Sequence, residues 1–266
     1  MTRLPQFFSG TSLPHIDLEI CVDSVESAIA ANAGGADRVE LCSALREGGI
    51  TPSIGLISTV RNEISCDLFV LIRPRAGDFV YSNHELAVMQ EDLRVAKEIG
   101  ANGVVIGLLT NEGRVDVEPT SALIDVARPM QVTFHRAFDV ATDLDRAFEE
   151  VIATGADRLL TSGGEPSALN GIQIIAKLQA AAAGRIQIMP GASIRLSNAR
   201  EIVERTGVRE IHTSLGAKVA SAANHSGAHV RIGADADEFS RYLVFEDDVR
   251  SLRKMLDAIH IQPDHS

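Results

Sequence analysis

Apolar residues in this chain fall into short runs separated by longer stretches with helical spacing. The clearest runs lie at 18–21, 68–72, 131–135 and 186–189. Between them a phrase recurs. Gly35-Ala36-Asp37-Arg38-Val39-Glu40-Leu41 returns as Gly100-Ala101-Asn102-Gly103-Val104-Val105-Ile106, then as Gly155-Ala156-Asp157-Arg158-Leu159-Leu160-Thr161. It returns more loosely as Gly207-Val208-Arg209-Glu210-Ile211-His212-Thr213. Each phrase reads as a helix stopped by glycine, a short loop and a buried strand. Eight strands result, each followed by an amphipathic stretch. Asp23-x-x-Glu26 and Ser82-x-x-Glu85 read as capping boxes, and Pro52, Pro119 and Pro166 as residues of first helical turns.

Strands alternating with helices imply parallel pairing, and eight such units in about 250 residues predict a single (β/α)8 TIM barrel. An open doubly wound sheet is the alternative. No Pro/Ser-rich linker divides the chain, so residues 17–266 read as one domain behind an N-terminal arm, 1–16. Residues 217–242 read as a long Ala/Gly/His/Ser-rich connection before a last helix near 246–259; that length fits either a functional lid or disorder.

Period-two alternation assigns faces. The apolar set of each barrel strand must bury against helices, so Leu18 and Ile20, Val39 and Leu41, and Val132 and Phe134 point outward. Glu19, Cys21, Glu40, Cys42, Thr133, His135, Glu210 and His212 then point to the axis or its mouth, and Arg73 turns inward beyond Ile72. Barrel interiors are mostly Val, Ile and Leu. A polar interior is therefore the signal of a site. Buried charge must be paired, which predicts that Glu19 and Glu40 meet Arg73, Arg75 or a histidine.

Composition narrows the chemistry. A hydrophobic content of 45% excludes a disordered chain, and a net charge of −11 argues against nucleic-acid binding. No apolar run approaches the ~18 residues that span a bilayer, and the N-terminus lacks a signal-peptide h-region, which predicts a soluble protein with no membrane partner. Three cysteines without a C-x-x-C pair fit a reducing cytoplasm. The composition leaves a homo-oligomer open.

The C-terminal strand ends, where such barrels carry their sites, hold Arg73-Pro74-Arg75 with Asp78, His135-Arg136, Ser162-Gly163-Gly164 and Pro190-Gly191. Arg73, Arg75, Asp78, Arg136, Ser162, Gly163 and Gly191 form the expected substrate-binding set, with guanidiniums and backbone N–H groups facing a small anion. Glu19, Glu40, His135 and His212 are the candidate acid/base groups. An ion-pair network, interior histidines and tight-turn glycines explain the same residues without function. Cys21 and Cys42 sit on adjacent strands ~4.8 Å apart and would share a soft ion such as Cu(I), unless barrel stagger separates them.

Several longer motifs carry a resemblance. Glu19-Ile20-Cys21-Val22-Asp23, Gly34-Gly35-Ala36-Asp37-Arg38-Val39-Glu40-Leu41-Cys42 and Glu47-Gly48-Gly49-Ile50-Thr51-Pro52 resemble the CutC family. So do Ile72-Arg73-Pro74-Arg75, Thr133-Phe134-His135-Arg136-Ala137-Phe138-Asp139 and Met189-Pro190-Gly191, so that the match covers roughly residues 17–216. The resemblance implies a cytoplasmic copper-homeostasis barrel that binds Cu(I) through cysteines matching Cys21 and Cys42, with no organic cofactor. A histidine, His135 or His212, is the third-ligand candidate. The alternative is an enzyme of unknown reaction acting on a small phosphate- or carboxylate-bearing metabolite.

Overall fold

The computed structural model describes residues 15–220 and 240–259. Eight parallel strands alternate with helices: β1 (Asp17–Val22), α1 (Val25–Ala33), β2 (Arg38–Leu41), α2 (Ile54–Glu63), β3 (Asp67–Leu71) and α3 (Asn83–Ile99). There follow β4 (Gly103–Ile106), α4 (Val117–Ala127), β5 (Gln131–Phe134), α5 (Leu144–Thr154), β6 (Arg158–Thr161) and α6 (Ile172–Ala182). The series closes with β7 (Gln187–Pro190), α7 (Ala199–Thr206) and β8 (Glu210–Thr213). The sheet order is β7-β6-β5-β4-β3-β2-β1-β8, which wraps into a nearly closed barrel. This is the TIM-barrel fold that the alternation predicts.

The recurring phrase has a physical reason. Gly100, Gly155 and Gly207 end α3, α5 and α7 in the left-handed conformation that glycine adopts without strain. In the first three copies of the phrase, the acid or amide two residues after its first glycine reaches across the barrel bottom; the fourth has Arg209 there. Asp37, Asn102 and Asp157 accept the backbone N–H of Leu18, Leu68 and Val132 at 2.7–2.9 Å, tying each loop to the preceding strand.

Ser82 and Glu85 form the expected capping box on α3, whereas Ser24 rather than Asp23 caps α1. Pro119 lies in the first turn of α4, but Pro52 precedes the Ser53 cap of α2, and α6 starts six residues beyond Pro166. The β6–α6 loop is longer than the proline signal implies because it folds back on the Asp139 carboxylate, as shown below. The expected long connection begins and ends as strand. β9 (Ala217–Ala220) pairs antiparallel with β10 (Ser240–Leu243), and α8 (Glu246–Asp257) follows. The rest of that connection, and nearly all of the N-terminal arm, lie outside the described residues.

Leu18, Ile20, Val39, Leu41, Val132 and Phe134 belong to the large apolar layer between strands and helices. A second cluster lies inside the barrel: Cys21, Cys42, Phe69, Leu71 and Val105. Among the described residues no helix is long and apolar enough to cross a membrane.

Candidate functional site

The barrel interior is stratified. At the bottom, Arg38 of β2 pairs with Glu19 of β1 and, at 2.8 Å, with Glu210 of β8; Arg158 of β6 makes a second, two-pronged pair with Glu210. Both guanidiniums face the Phe69 ring, at 4.8 and 5.4 Å from its centroid. All five residues are buried. Glu19 and Glu40 thus have no ion pair with Arg73 or Arg75, contrary to that part of the expectation; the histidine alternative holds, and Arg38 supplies the cation. Arg38 and Arg158 share the inward parity of Glu40 and Ser162, which is the signal that identifies them.

Above this floor, His212 of β8 donates from Nδ1 to Glu19 at 2.7 Å and turns Nε2 toward Glu40, 3.7 Å away. Burial opposes charge on all three groups. For Glu19, Arg38 and His212 outweigh burial and hold the carboxyl down at about 2. For His212, burial is likewise outweighed, here by the two carboxylates, and its pKa is raised. Burial pushes the Glu40 carboxyl up. Cys21 and Cys42 approach to 3.9 Å between sulfurs. Contact with Cys42, burial and the Glu40 charge push the Cys21 thiol well above the usual range. Ligand atoms of Cys21, Glu40 and His212 all lie within 4.8 Å of one another.

These groups open into a cavity of about 270 Å³ at the C-terminal end of the strands, where this fold carries its sites. Its lining includes Cys21, Glu40, Cys42, Arg73, His135, Arg136 and His212 from the expected set, together with Phe79, Ser193 and Arg195, which lie in loops beyond the reach of strand parity. The lining residues Ala192 and Ser193 are consecutive non-glycine residues at positive φ (76° and 56°), the kind of backbone strain that functional loops carry. A neighbouring cavity of about 430 Å³, reaching to Tyr242 of β10, meets this one at Leu45, Arg195 and Ser214.

Other expected residues lie elsewhere. Arg75 and Asp78 pair with each other at 2.9 Å, and Arg75 also holds Glu85 at the start of α3, away from the cavity. The β6 loop is occupied by a protein carboxylate: Asp139 accepts from Thr161 Oγ1, the Ser162 N–H and the Gly164 N–H, and pairs with Arg136. The Gly163 N–H donates to Thr161 Oγ1, and the Gly191 N–H continues the strand ladder to the Thr161 carbonyl. The backbone donors expected of Gly163 and Gly191 are therefore already engaged within the fold, because Asp139 and β6 take them.

His135 is neutral in this environment. Its Nδ1 accepts the Ala137 N–H at 3.1 Å, and burial together with the nearby Arg73 charge pulls its pKa down to about 3. An unfolded imidazole titrates near 6.5, so between pH ~6.5 and ~3 the unfolded chain holds a proton that the folded one refuses. Stability is expected to fall with acid across this window by up to about 1.4 kcal/mol per pH unit from this group alone. Urea unfolding from pH 7 to 4 measures that slope, and His135→Asn should flatten it.

A CutC family model matches residues 16–217. A human protein described as a copper homeostasis protein cutC homolog is 44% identical over 253 residues, 95% of this chain and 92% of that protein. A CutC family protein of Chromobacterium violaceum is 46% identical over 241 residues, 90% of this chain and 98% of its own. The crystal structure of a CutC protein from Streptococcus agalactiae superposes with a TM-score of 0.71 at 32% identity, over 75% of this chain and 98% of that one. Matched by the family model over most of its strands and by these relatives over nearly its whole length, the chain belongs to the CutC family.

Proposed function

We propose that the barrel mouth binds Cu(I) through Cys21 and Cys42 with His212 as third donor, and that this is the protein's part in cytoplasmic copper homeostasis. The observation that carries the reading is the 3.9 Å separation of two inward-facing sulfurs at a cavity wall shared with His212. Two sulfurs at this spacing would hold one soft ion between them, and His212, which clusters with Cys21, would supply the third donor. Thiolates and imidazole suit a soft ion better than the Glu40 carboxylate does. Glu19 on His212 Nδ1 is the outer carboxylate that commonly orients a ligating histidine and fixes Nε2 as the donor.

Copper must displace protons from groups that hold them tightly, since the Cys21 thiol and His212 are both shifted upward. Affinity is therefore expected to rise with pH through the neutral range. Competitor-buffered Cu(I) titration under reducing conditions should give one equivalent for the parent and none for Cys21→Ser/Cys42→Ser. Glu19→Gln should weaken binding by about 10–100-fold, the scale of losing an orienting partner. Equal affinities for the parent and the double serine variant would remove the proposal.

A further inference from the structure

The same cavity has a second wall that copper binding does not use. Arg73, just beyond β3, and His135, at the end of β5, line it; β5 stands four strands from β1 around the barrel. Only 5% of Arg73 and 7% of His135 is exposed, yet among the described residues one polar atom of each has no hydrogen-bond partner: Arg73 Nε and His135 Nε2.

The rest of each side chain is fixed. Arg73 Nη1 donates to the carbonyls of Gly49 (2.7 Å) and Glu47 (3.2 Å), and Nη2 donates to that of Gly77 (2.7 Å). Among the described residues no carboxylate forms an ion pair with this guanidinium, whose hydrogen bonds go to backbone carbonyls. His135 is anchored through Nδ1, which leaves the proton of the neutral ring on Nε2 as a donor. Both groups pack on Phe79: the guanidinium carbon is 5.0 Å from the ring centroid, and the imidazole centroid is also 5.0 Å away. Such a wall combines a rigid cation with a neutral N–H donor.

A buried, unpaired cation is costly, and an unused buried donor adds to that cost. One oxyanion relieves both. We propose that the Arg73–His135 wall is a binding subsite for the carboxylate of a small organic acid. A monoanion with two oxygens matches one guanidinium and one neutral donor, and the cavity of about 270 Å³ that the wall lines has room for it. A phosphate dianion fits less well, because Glu40 lines the same cavity and repels the second charge.

The test is calorimetric titration of the copper-free full chain with acetate, pyruvate, lactate, inorganic phosphate and uncharged acetamide. The carboxylates should bind, while acetamide and phosphate bind much more weakly. Arg73→Lys keeps the charge but removes the Nε donor and the planar fork. His135→Asn keeps an acceptor for the Ala137 N–H but removes Nε2. Each is expected to weaken carboxylate binding roughly 10–100-fold, the range for hydrogen bonds to a charged group. Carboxylate binding should shift the His135 imidazole signal in nitrogen-detected NMR, which a merely structural residue would not show. Should Arg73→Lys fail to fold, His135→Asn and the NMR shift decide. Cys21→Ser/Cys42→Ser should leave carboxylate binding intact, and His135→Asn should leave Cu(I) binding intact, so each proposal fails separately. Absence of carboxylate binding, tighter binding of phosphate or acetamide, or affinity unchanged in His135→Asn would overturn the subsite.

Discussion

Glu210→Ala should destabilise the barrel by about 3–5 kcal/mol, the range seen when one member of a buried ion network is removed. Glu210 accepts from Arg38 at 2.8 Å and from two nitrogens of Arg158, so its loss takes a carboxylate from two guanidiniums rather than one. Arg38 would retain Glu19 and the Met189 sulfur at 3.2 Å. Among the described residues Arg158 would retain hydrogen bonds only to Thr133 and Gln131, at 3.4 and 3.3 Å, neither of them charged. Arg158→Met should cost less, because the carboxylate it leaves still faces Arg38. Urea denaturation of the three proteins at pH 7 gives the order. A loss below ~1 kcal/mol for Glu210→Ala would mean that water enters from the groove at the barrel bottom, which Asp17, Gln131 and Arg209 line alongside Arg158 and Glu210.

That network also marks what the sequence made legible. Parity along β1, β2, β5 and β8 puts Glu19, Cys21, Glu40, Cys42, His135 and His212 inside, and applied to Arg38 and Arg158 it completes the floor. The reasoning weakens where strands end. β3 stops at Leu71, and Pro74 then turns the chain, so nothing in the alternation separates Arg73, which lines the cavity, from Arg75, which leaves it for Glu85. Nor does a Gly-rich loop reveal which of its N–H groups are free. In the β6 loop Asp139, contributed by the loop after β5, engages the Ser162 and Gly164 donors. Contacts between side chains and loops distant in sequence are set by tertiary packing, and local residue order does not encode them.

Phe69→Ala is expected to cost about 3–5 kcal/mol, and the companion change Gly103→Ala should reverse its sign on that background. Phe69 is fully buried inside the barrel, with Arg38 and Arg158 over its ring and Cys21 and Cys42 in the same apolar cluster. Truncation removes the ring's packing, opens a cavity and uncovers two cations whose attraction to the ring is worth roughly 0.5–2 kcal/mol. The ring fits because residue 103 on the neighbouring strand has no side chain: a Cβ there would collide with the Phe69 ring. In the parent, Gly103→Ala should therefore cost about 1–3 kcal/mol by overpacking. Once the ring is gone, the same methyl enters open space and restricts a strand glycine, a gain of roughly 0.5–1 kcal/mol. Chemical denaturation of the double-mutant cycle reads the coupling directly. If Gly103→Ala were equally destabilising with and without the ring, the β4 backbone, and not Phe69, would be what demands glycine.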